Sequence, residues 1–317
     1  MSLPQIAFLF PGQGSQTPGM GKELAALYPV ARHTFQEADE ALGFALSELC
    51  FEGPREKLAM TEITQPAVLT ASVAVCRVLQ EKGVAPNYVA GHSLGEYSAH
   101  VAAGTLEFAD AVRTVRNRGR YMQEAVPAGQ GAMAAILWMP LEQVQAVCAE
   151  AAQAEVVSPA NINSPEQIVI SGSAKAVARA SELALERGAK RAIKLDVSAP
   201  FHCALMQPAQ ERLAVDLKAL PVQIPEIPVI SNIDAEPKTD PNASREALIL
   251  QVTGAVLWEA SVRKLMQLGV TTFIEAGPGK VLTGLMRQID RAQAAMNVED
   301  EASLQKVMNL FSSAAKD

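Results

Sequence analysis

The residues Gly91-His92-Ser93-Leu94-Gly95 have the Gly-x-Ser-x-Gly spacing of a nucleophilic serine held in a sharp turn. A short apolar run precedes them and an alanine-rich stretch follows, so the pattern predicts a strand, a tight turn and a helix. That arrangement lifts a serine hydroxyl above the end of a sheet, where it can attack a carbonyl carbon. The five-residue pattern alone also arises by chance, and the strand–turn–helix context is what favours catalysis.

A nucleophilic serine needs a general base, and the chain has four histidines. His33 lies in a predicted exposed helix, His92 is expected to point away from Ser93, and His100 lies among alanines. His202 alone falls in a predicted loop between a strand and a helix, where such bases lie. We therefore predict a catalytic pair of Ser93 and His202.

A carboxylate would complete a triad, and the available candidates are Asp110 and Asp196, near predicted strand ends. Neither aspartate has a convincing sequence context. A pair in which backbone carbonyls hold the imidazole is the simpler prediction.

Two backbone N–H groups are expected to stabilise the oxyanion. One belongs to Leu94, directly after the serine. The second comes from a loop after another strand, and Gln13 is the candidate because it lies in the glycine-rich loop 11–16. This loop lacks the third glycine of dinucleotide sites and the Gly-Lys-Ser/Thr of phosphate loops, so nucleotide binding is disfavoured.

One predicted helix carries four arginines. Arg113, Arg116 and Arg120 share one face, which is typical of a solvated surface. Arg118 points the other way, towards the protein. A buried guanidinium needs a partner, and a substrate carboxylate would suit its planar fork.

The elements that must position these residues have an α/β pattern. The predicted strands span residues 5–10, 89–90, 132–138, 155–160, 167–171, 190–195, 229–231 and 271–275, with a turn at 161–166. The predicted helices span residues 23–49, 64–79, 94–103, 108–126, 141–152, 174–187, 205–220 and 245–268, with a break near Gly254. A peripheral helix and charged tail, residues 298–316, close the chain.

Between about 127 and 198 the predicted order is strand, helix, strand, strand, helix, strand, which is that of a ferredoxin-like unit. We therefore predict an α/β protein with a catalytic domain of residues 1–126 and 199–317 built on a parallel sheet. Residues 127–198 are predicted to form a small inserted ferredoxin-like subdomain.

Composition excludes several classes of protein. The 317 residues are 49% hydrophobic, enough for a large core, and the net charge of -7 disfavours nucleic acid as the main partner. No apolar run approaches the roughly 20 residues of a membrane helix, and the first residues lack the features of a secretory signal. The four cysteines are scattered without metal-site spacing. We expect a cytoplasmic monomer without metal or membrane partner.

Taken together, the motifs resemble those of the malonyl-CoA:acyl carrier protein transacylases of bacterial fatty acid synthesis. The resemblance covers nearly the whole chain. It rests on Phe10-Pro11-Gly12-Gln13-Gly14-Ser15-Gln16, Gly91-His92-Ser93-Leu94-Gly95-Glu96-Tyr97, Arg118-Gly119 with Tyr121-Met122-Gln123, Phe201-His202, and Gln251. It implies an α/β-hydrolase-like core with a ferredoxin-like insertion.

The resemblance also implies roles for the site residues. Ser93 would be the acylated nucleophile and His202 its base, with the oxyanion held by the N–H groups of Gln13 and Leu94. Arg118 would pair with the free carboxylate of malonate.

Two further residues matter for substrate binding and selectivity. Gln251 would orient the site by supporting His202 or Arg118. Leu94 and Phe201 resemble their counterparts in malonyl-selective members.

Malonyl-CoA and acyl carrier protein are the implied substrate and partner, and no separate cofactor is implied. The acidic carrier protein is expected to dock at one of two basic clusters. These are Lys190, Arg191 and Lys194, or Arg113, Arg116 and Arg120.

Two other functions remain open. A serine hydrolase (an esterase, lipase or thioesterase) could use the same Ser93–His202 pair, although Arg118 and the lack of an evident triad acid argue against it. A non-catalytic carrier-binding module is disfavoured because Ser93, His202 and Gln13 are all present.

Overall fold

A large, mostly parallel sheet forms the centre of the protein. The computed structural model describes residues 5–314. Its strands are β1 (Gln5–Phe10), β2 (Tyr88–Gly91), β3 (Gly131–Leu137), β4 (Val157–Ser164), β5 (Gln167–Ser173), β6 (Arg191–Lys194), β7 (Val229–Ile230), β8 (Pro237–Lys238), β9 (Val270–Ala276) and β10 (Ala294–Val298). The large sheet has the order β10-β9-β1-β2-β7-β8; its neighbours are parallel from β10 to β7, and β8 is antiparallel to β7.

Helices cover both faces of this sheet, as a parallel sheet requires. They are α1 (Lys22–Leu27), α2 (Pro29–Leu42), α3 (Leu46–Glu52), α4 (Arg55–Leu58), α5 (Thr61–Glu81), α6 (Gly95–Ala102), α7 (Phe108–Ala125), α8 (Leu141–Ala152), α9 (Ala174–Glu186), α10 (Gln207–Ala219), α11 (Pro241–Leu250), α12 (Trp258–Gln267), α13 (Val281–Ile289) and α14 (Glu301–Ala314), with a 3-10 turn at Ala204–Met206.

The central strand β1 explains why the core has two halves. Phe8 and Phe10 pack into the apolar cluster that contains α5. Ala7 and Leu9 point to the opposite face and pack in a second cluster with Trp258. Because β1 and β2 are parallel neighbours, the loops after both strands leave at the same edge of the sheet. The fold thus brings the Gln13 loop beside the Ser93 turn.

A smaller sheet with the order β4-β5-β3-β6 lies beside the large one, and its neighbours are all antiparallel. Along the chain its elements run β3, α8, β4, β5, α9, β6. Ile136 and Ile170 pack against α8 and α9 in a separate apolar cluster. A bridge between Asn161 of β4 and Val256, with Val256 N–H donating to Ala160 at 2.8 Å, ties this sheet to the rest of the protein.

The helix predicted over residues 23–49 was wrong as a single element. The chain forms α1, α2 and α3 there instead. Pro29 starts α2 because its fixed φ suits the first turn of a helix. Gly43 ends α2 with a left-handed φ of 72°.

Two further boundaries differ from the sequence predictions. Residues 161–164 continue β4 rather than forming a turn, because they pair with residues 167–169 of β5 in a tight hairpin. The helix predicted over 245–268 is two helices, α11 and α12, separated by residues 251–257. Asp240 caps α11 by accepting from the N–H groups of Asn242 and Ala243, so this helix begins earlier than predicted.

The closing segment is not peripheral. Its edge strand β10 pairs with β9, and α14 buries Leu304 and Val307 completely in the main core. Four elements were not predicted, namely α4, β8, α13 and β10. Residues 315 and 316 of the predicted tail lie outside the described residues.

In residues 5–314, no helix combines the length and apolar character needed to cross a bilayer. In the same part of the chain, no group of three His, Cys, Asp or Glu side chains is arranged to hold a metal ion.

Gly95 provides a test of the close packing beneath the serine turn. A Cβ at residue 95 would collide with the carbonyl oxygen of Phe10 in β1. We expect Gly95→Ala to lower the free energy of unfolding by about 3 kcal/mol, because backbone must move. Urea unfolding measures this change.

Gly284 is the matched control, because it lies within α13 and a Cβ there would meet nothing within 4 Å. We expect Gly284→Ala to raise the free energy of unfolding by about 1 kcal/mol through helix propensity. A Gly95→Ala protein as stable as wild type would contradict the packing argument.

Candidate active site

Ser93 lies in a strained turn between β2 and α6. Its φ of 52° is left-handed, a conformation that costs a non-glycine residue about 1 kcal/mol. The turn can be this tight because Gly91 and Gly95 touch, and a Cβ at residue 91 would collide with the Gly95 carbonyl group. The result is the strand–turn–helix geometry that presents a serine hydroxyl at the end of a sheet.

Two buried side chains hold the backbone of Ser93 in this conformation. The Ser93 N–H donates to Asn232 Oδ1 at 2.7 Å, and Gln251 Nε2 donates to the Ser93 carbonyl at 2.8 Å. Asn232 Nδ2 also donates to the carbonyl of Gly91 at 2.7 Å. Because the Ser93 N–H is occupied, Leu94 is the residue of this turn whose N–H can serve an oxyanion.

The structure brings Ser93 and His202 together. Ser93 Oγ lies 2.7 Å from His202 Nε2, and His202 Nδ1 lies 2.8 Å from the backbone carbonyl of Gln251. A carbonyl can only accept, so Nδ1 carries the proton and Nε2 is free to accept one from the serine. Asp110 instead pairs with Arg113 at 2.7 Å, and Asp196 is exposed.

The electrostatic environment keeps His202 neutral. Burial, followed by the positive charge of Arg118, lowers the pKa of His202 to about 3. The imidazole is therefore an unprotonated base throughout the physiological pH range.

Arg118 is the large buried cation of the site, with only 1% of its surface exposed. Its guanidinium donates to Gln65 Oε1 and to Gln251 Oε1, both at 2.9 Å, and to Ser93 Oγ at 3.2 Å. Within residues 5–311, no ion pair joins Arg118 to a carboxylate. The guanidinium can therefore receive an anionic group beside the nucleophile.

These residues surround a cavity of about 130 Å³. Of the residues predicted to form the site, six line it: Gln13, Ser93, Leu94, Arg118, Phe201 and His202. Gln251 is fully buried and is absent from the cavity wall, so its contacts are with the other site residues. Met122, Met133, Leu195 and Val197 add an apolar part to the wall.

The remaining histidines do not contact Ser93 Oγ, although His92 also lines the cavity. His92 Nε2 lies 2.8 Å from Asn163 Oδ1, and the His92 ring packs on Trp258. His33 is exposed on α2. His100 is completely buried, burial lowers its pKa to about 3, and neither ring nitrogen has a hydrogen-bond partner among the described residues.

Comparison with known proteins decides the family. Residues 7–309 match the acyl transferase domain family. A protein of Bacillus subtilis (strain 168) named malonyl CoA-acyl carrier protein transacylase is 53% identical over 304 residues, covering 96% of each chain. The chain belongs to the acyl transferase family, among the malonyl CoA-acyl carrier protein transacylases.

Solved structures of this transacylase family have the same fold. An acyl carrier protein S-malonyltransferase from Vibrio cholerae O1 biovar eltor str. N16961 superposes with a TM-score of 0.94 at 51% identity, over 96% of this chain and 99% of that chain. A malonyl-transacylase in complex with its type II PKS acyl-carrier protein superposes with a TM-score of 0.94 at 47% identity, over 96% and 99%.

Sequence reasoning missed three polar residues around this transacylase site: Gln65, Glu96 and Asn232. Gln65 lies beside other polar residues in the first turns of α5, and its sequence position does not distinguish it from them. Asn232 follows β7 directly, at the carboxyl end of a parallel strand where sites form. Glu96 stands within the serine motif itself, but its sequence position gives no hint of its long-range contacts.

The low pKa of His202 predicts how acid affects the nucleophile. We expect the rate of Ser93 labelling by a fluorophosphonate probe to stay nearly constant from pH 7 to pH 5, because His202 is neutral above about pH 3. A base with the ordinary histidine pKa would lose about thirtyfold over that range. Stopped-flow labelling, with circular dichroism to verify folding, measures the profile.

His202→Ala is the control for this profile, and its labelling should be slow at every pH because the base is gone. An acid limb with its midpoint near pH 6.5 in the wild-type protein would contradict the predicted electrostatic environment of His202.

Proposed function

We propose that the protein transfers a malonyl group from coenzyme A to the phosphopantetheine thiol of acyl carrier protein, through a malonyl-serine intermediate. The observation that carries this proposal is the buried guanidinium of Arg118, 3.2 Å from Ser93 Oγ. Family membership supports the same activity, because relatives such as the Bacillus subtilis protein are named malonyl CoA-acyl carrier protein transacylase.

The first half-reaction acylates Ser93. Ser93 Oγ attacks the thioester carbonyl carbon while His202 Nε2 accepts the hydroxyl proton. The tetrahedral oxyanion is stabilised by the backbone N–H groups of Leu94 and Gln13. When the C–S bond breaks, His202 returns the proton to the departing thiolate of coenzyme A.

The second half-reaction follows the same path in reverse. The phosphopantetheine thiol gives its proton to His202 and attacks the malonyl-serine ester. The C–O bond to Ser93 breaks, and Ser93 Oγ recovers the proton from His202. The reaction is therefore ping-pong and uses no cofactor beyond the coenzyme A thioester substrate.

Arg118 is the proposed determinant of acyl selectivity. A malonyl carboxylate would pair with its guanidinium, while a neutral acetyl group would leave that buried charge without an anion. Phe201 and the other apolar residues of the wall would favour the acyl chain over water.

The fold supports a finer division of the chain. We propose that residues 1–126 and 199–317 form an α/β-hydrolase-like catalytic domain and that residues 127–198 are an inserted ferredoxin-like subdomain. The support for the insertion is its strand order, β6-β3-β5-β4, with two helices on one face.

Intact-protein mass after mixing with acyl-CoA tests the activity and the role of Arg118. We expect malonyl-CoA to leave a malonyl adduct on wild type that persists until a carrier thiol is added. Arg118→Ala should lose at least about a hundredfold of its malonylation rate, because a charge-assisted bidentate contact beside the reacting atom is removed. Its acetylation rate should change far less.

Ser93→Ala and Arg113→Ala are the controls, the first without a nucleophile and the second without an exposed arginine of the same helix. Ester hydrolysis without an adduct in wild type would favour the serine hydrolase. Equal losses of malonylation and acetylation in Arg118→Ala would contradict its selectivity role.

The basic residues Lys190, Arg191 and Lys194 are the proposed docking site for acyl carrier protein. All three are exposed, and none forms an ion pair within residues 5–311. Strand β6 leads directly to Leu195 and Val197 in the cavity wall. In the competing cluster, Arg113 is already paired with Asp110.

We expect Arg191→Glu combined with Lys194→Glu to lower kcat/KM for carrier protein about tenfold or more, because rim charges govern association. Acylation by malonyl-CoA should change less than about twofold. Steady-state transfer and single-turnover acylation separate the two effects.

Arg113→Glu combined with Arg120→Glu is the matched charge reversal on α7. An equal loss in that variant would assign docking to the other cluster. Loss of acylation in the β6 variant would indicate contact with the phosphates of coenzyme A instead.

A further inference from the structure

Glu96 is a buried carboxylate that the mechanism above does not use. It lies in the first turn of α6, three residues after Ser93, and is completely buried. Its Oε2 accepts from Gln251 Nε2 at 2.7 Å and from the Asn232 N–H at 3.3 Å. Its Oε1 has no well-formed hydrogen bond among the described residues, and the Ser231 hydroxyl is a further donor close to the carboxylate.

The side-chain amide of Gln251 lies between Glu96 and Arg118. Its Nε2 donates to the carboxylate, and its Oε1 accepts from the guanidinium at 2.9 Å. A carboxylate can only accept and a guanidinium can only donate, so these two charges fix the orientation of the amide. One buried anion and one buried cation therefore face each other across a single amide group.

We propose that Glu96 is the internal counter-charge of Arg118, and that it takes up a proton from solvent when the carboxylate of an acyl group binds Arg118. The inference rests on the proposed function, because it requires an acyl group that carries a carboxylate.

Charge balance is the physical reason. In the free site, the ionised Glu96 and Arg118 sum to zero. A second carboxylate on Arg118 would leave a net negative charge in a buried site, where like charges strongly disfavour joint ionisation. A proton on Oε1 of Glu96 restores neutrality and leaves the acceptor role of Oε2 intact.

Glu96 is already close to protonation before any ligand binds. Burial raises the pKa of Glu96 to about 7, against the opposing effects of its hydrogen bonds and of Arg118. The competing proton acceptor, His202, has a pKa of about 3. When a carboxylate binds nearby, protonation of Glu96 therefore costs less free energy than protonation of His202.

Few other groups near Glu96 could link its protonation to the binding of a carboxylate. The titratable side chains on α6 and beside the turn are Tyr97, His100, His92 and His202. The elements packed against α6 add Tyr88 on β2, four groups on α5 and seven on α7. Those on α5 are Glu62, Cys76, Arg77 and Glu81, and those on α7 are Asp110, Arg113, Arg116, Arg118, Arg120, Tyr121 and Glu124. Strands β1 and β7 carry none. Arg118 is the charged residue of this set whose field acts on the Glu96 carboxyl.

Calorimetric titration in two buffers of different ionisation enthalpy counts the protons taken up on binding. The protein is Ser93→Ala, which cannot be acylated, and the ligands are malonyl-CoA and acetyl-CoA at pH 7.5. We expect uptake of up to about three quarters of a proton per malonyl-CoA, because a group with a pKa of about 7 is about one quarter protonated at pH 7.5 before binding, and none that is specific to acetyl-CoA.

The matched variant is Glu96→Gln in the same Ser93→Ala background. A glutamine can still accept from Gln251 and Asn232 but cannot take up the proton. We expect malonyl-CoA to bind this variant without proton uptake. Equal uptake in both proteins, or none in the protein that retains Glu96, would overturn the inference.

A second measurement does not depend on the folding of Glu96→Gln. In the Ser93→Ala protein, the ratio of Kd for acetyl-CoA to Kd for malonyl-CoA should rise as pH falls from 8 to 7, by up to about fivefold for a free-state pKa of about 7. The shared coenzyme A part cancels in this ratio. A flat ratio would overturn the role of Glu96, whereas a ratio of one at every pH would overturn the proposed malonyl function itself.

Discussion

The site depends on one buried amide, that of Gln251. Its side chain donates to the Ser93 carbonyl and accepts from Arg118, while its backbone carbonyl accepts from His202. The positions of Ser93, His202 and Arg118 are thus set by a single residue at the end of α11. Because Gln251, Arg118 and His202 are buried, a loss of any partner would leave a polar atom unsatisfied, and that cost keeps the arrangement unique.

The same hydrogen-bond network offsets two free-energy costs, the backbone strain at Ser93 and the burial of the Arg118 charge. The left-handed backbone of Ser93 is held at its N–H by Asn232 and at its carbonyl by Gln251. Arg118 is buried without a direct carboxylate partner in the part of the chain that the structure describes, yet Gln65 and Gln251 satisfy part of its donor capacity. Neutral acceptors solvate the cation while leaving its charge available to a ligand, which a direct salt bridge would neutralise.

Local pattern was enough to predict the serine turn, its flanking elements and the inward face of Arg118, because each depends on residues within a turn or two. The contacts that complete the site were beyond such reasoning. Ser93 and Asn232 are 139 residues apart, and Gln251 and Glu96 are 155 apart. The order of the smaller sheet's elements was predicted, whereas the bridge from Asn161 to Val256, which joins residues far apart in the chain, was not.

The bridge between Asn161 and Val256 also connects the two parts of the protein that line the cavity. Met133, Leu195 and Val197 reach the cavity from β3 and from the segment after β6, while Ser93 and Arg118 reach it from the large sheet and α7. The segment that joins β4 at Val256 begins five residues earlier with Gln251. A shift of the smaller sheet would therefore displace Gln251, which contacts Ser93, His202 and Arg118. The cavity wall and the catalytic geometry are in this way fixed by the same stretch of chain, which favours a site that is formed before substrate arrives.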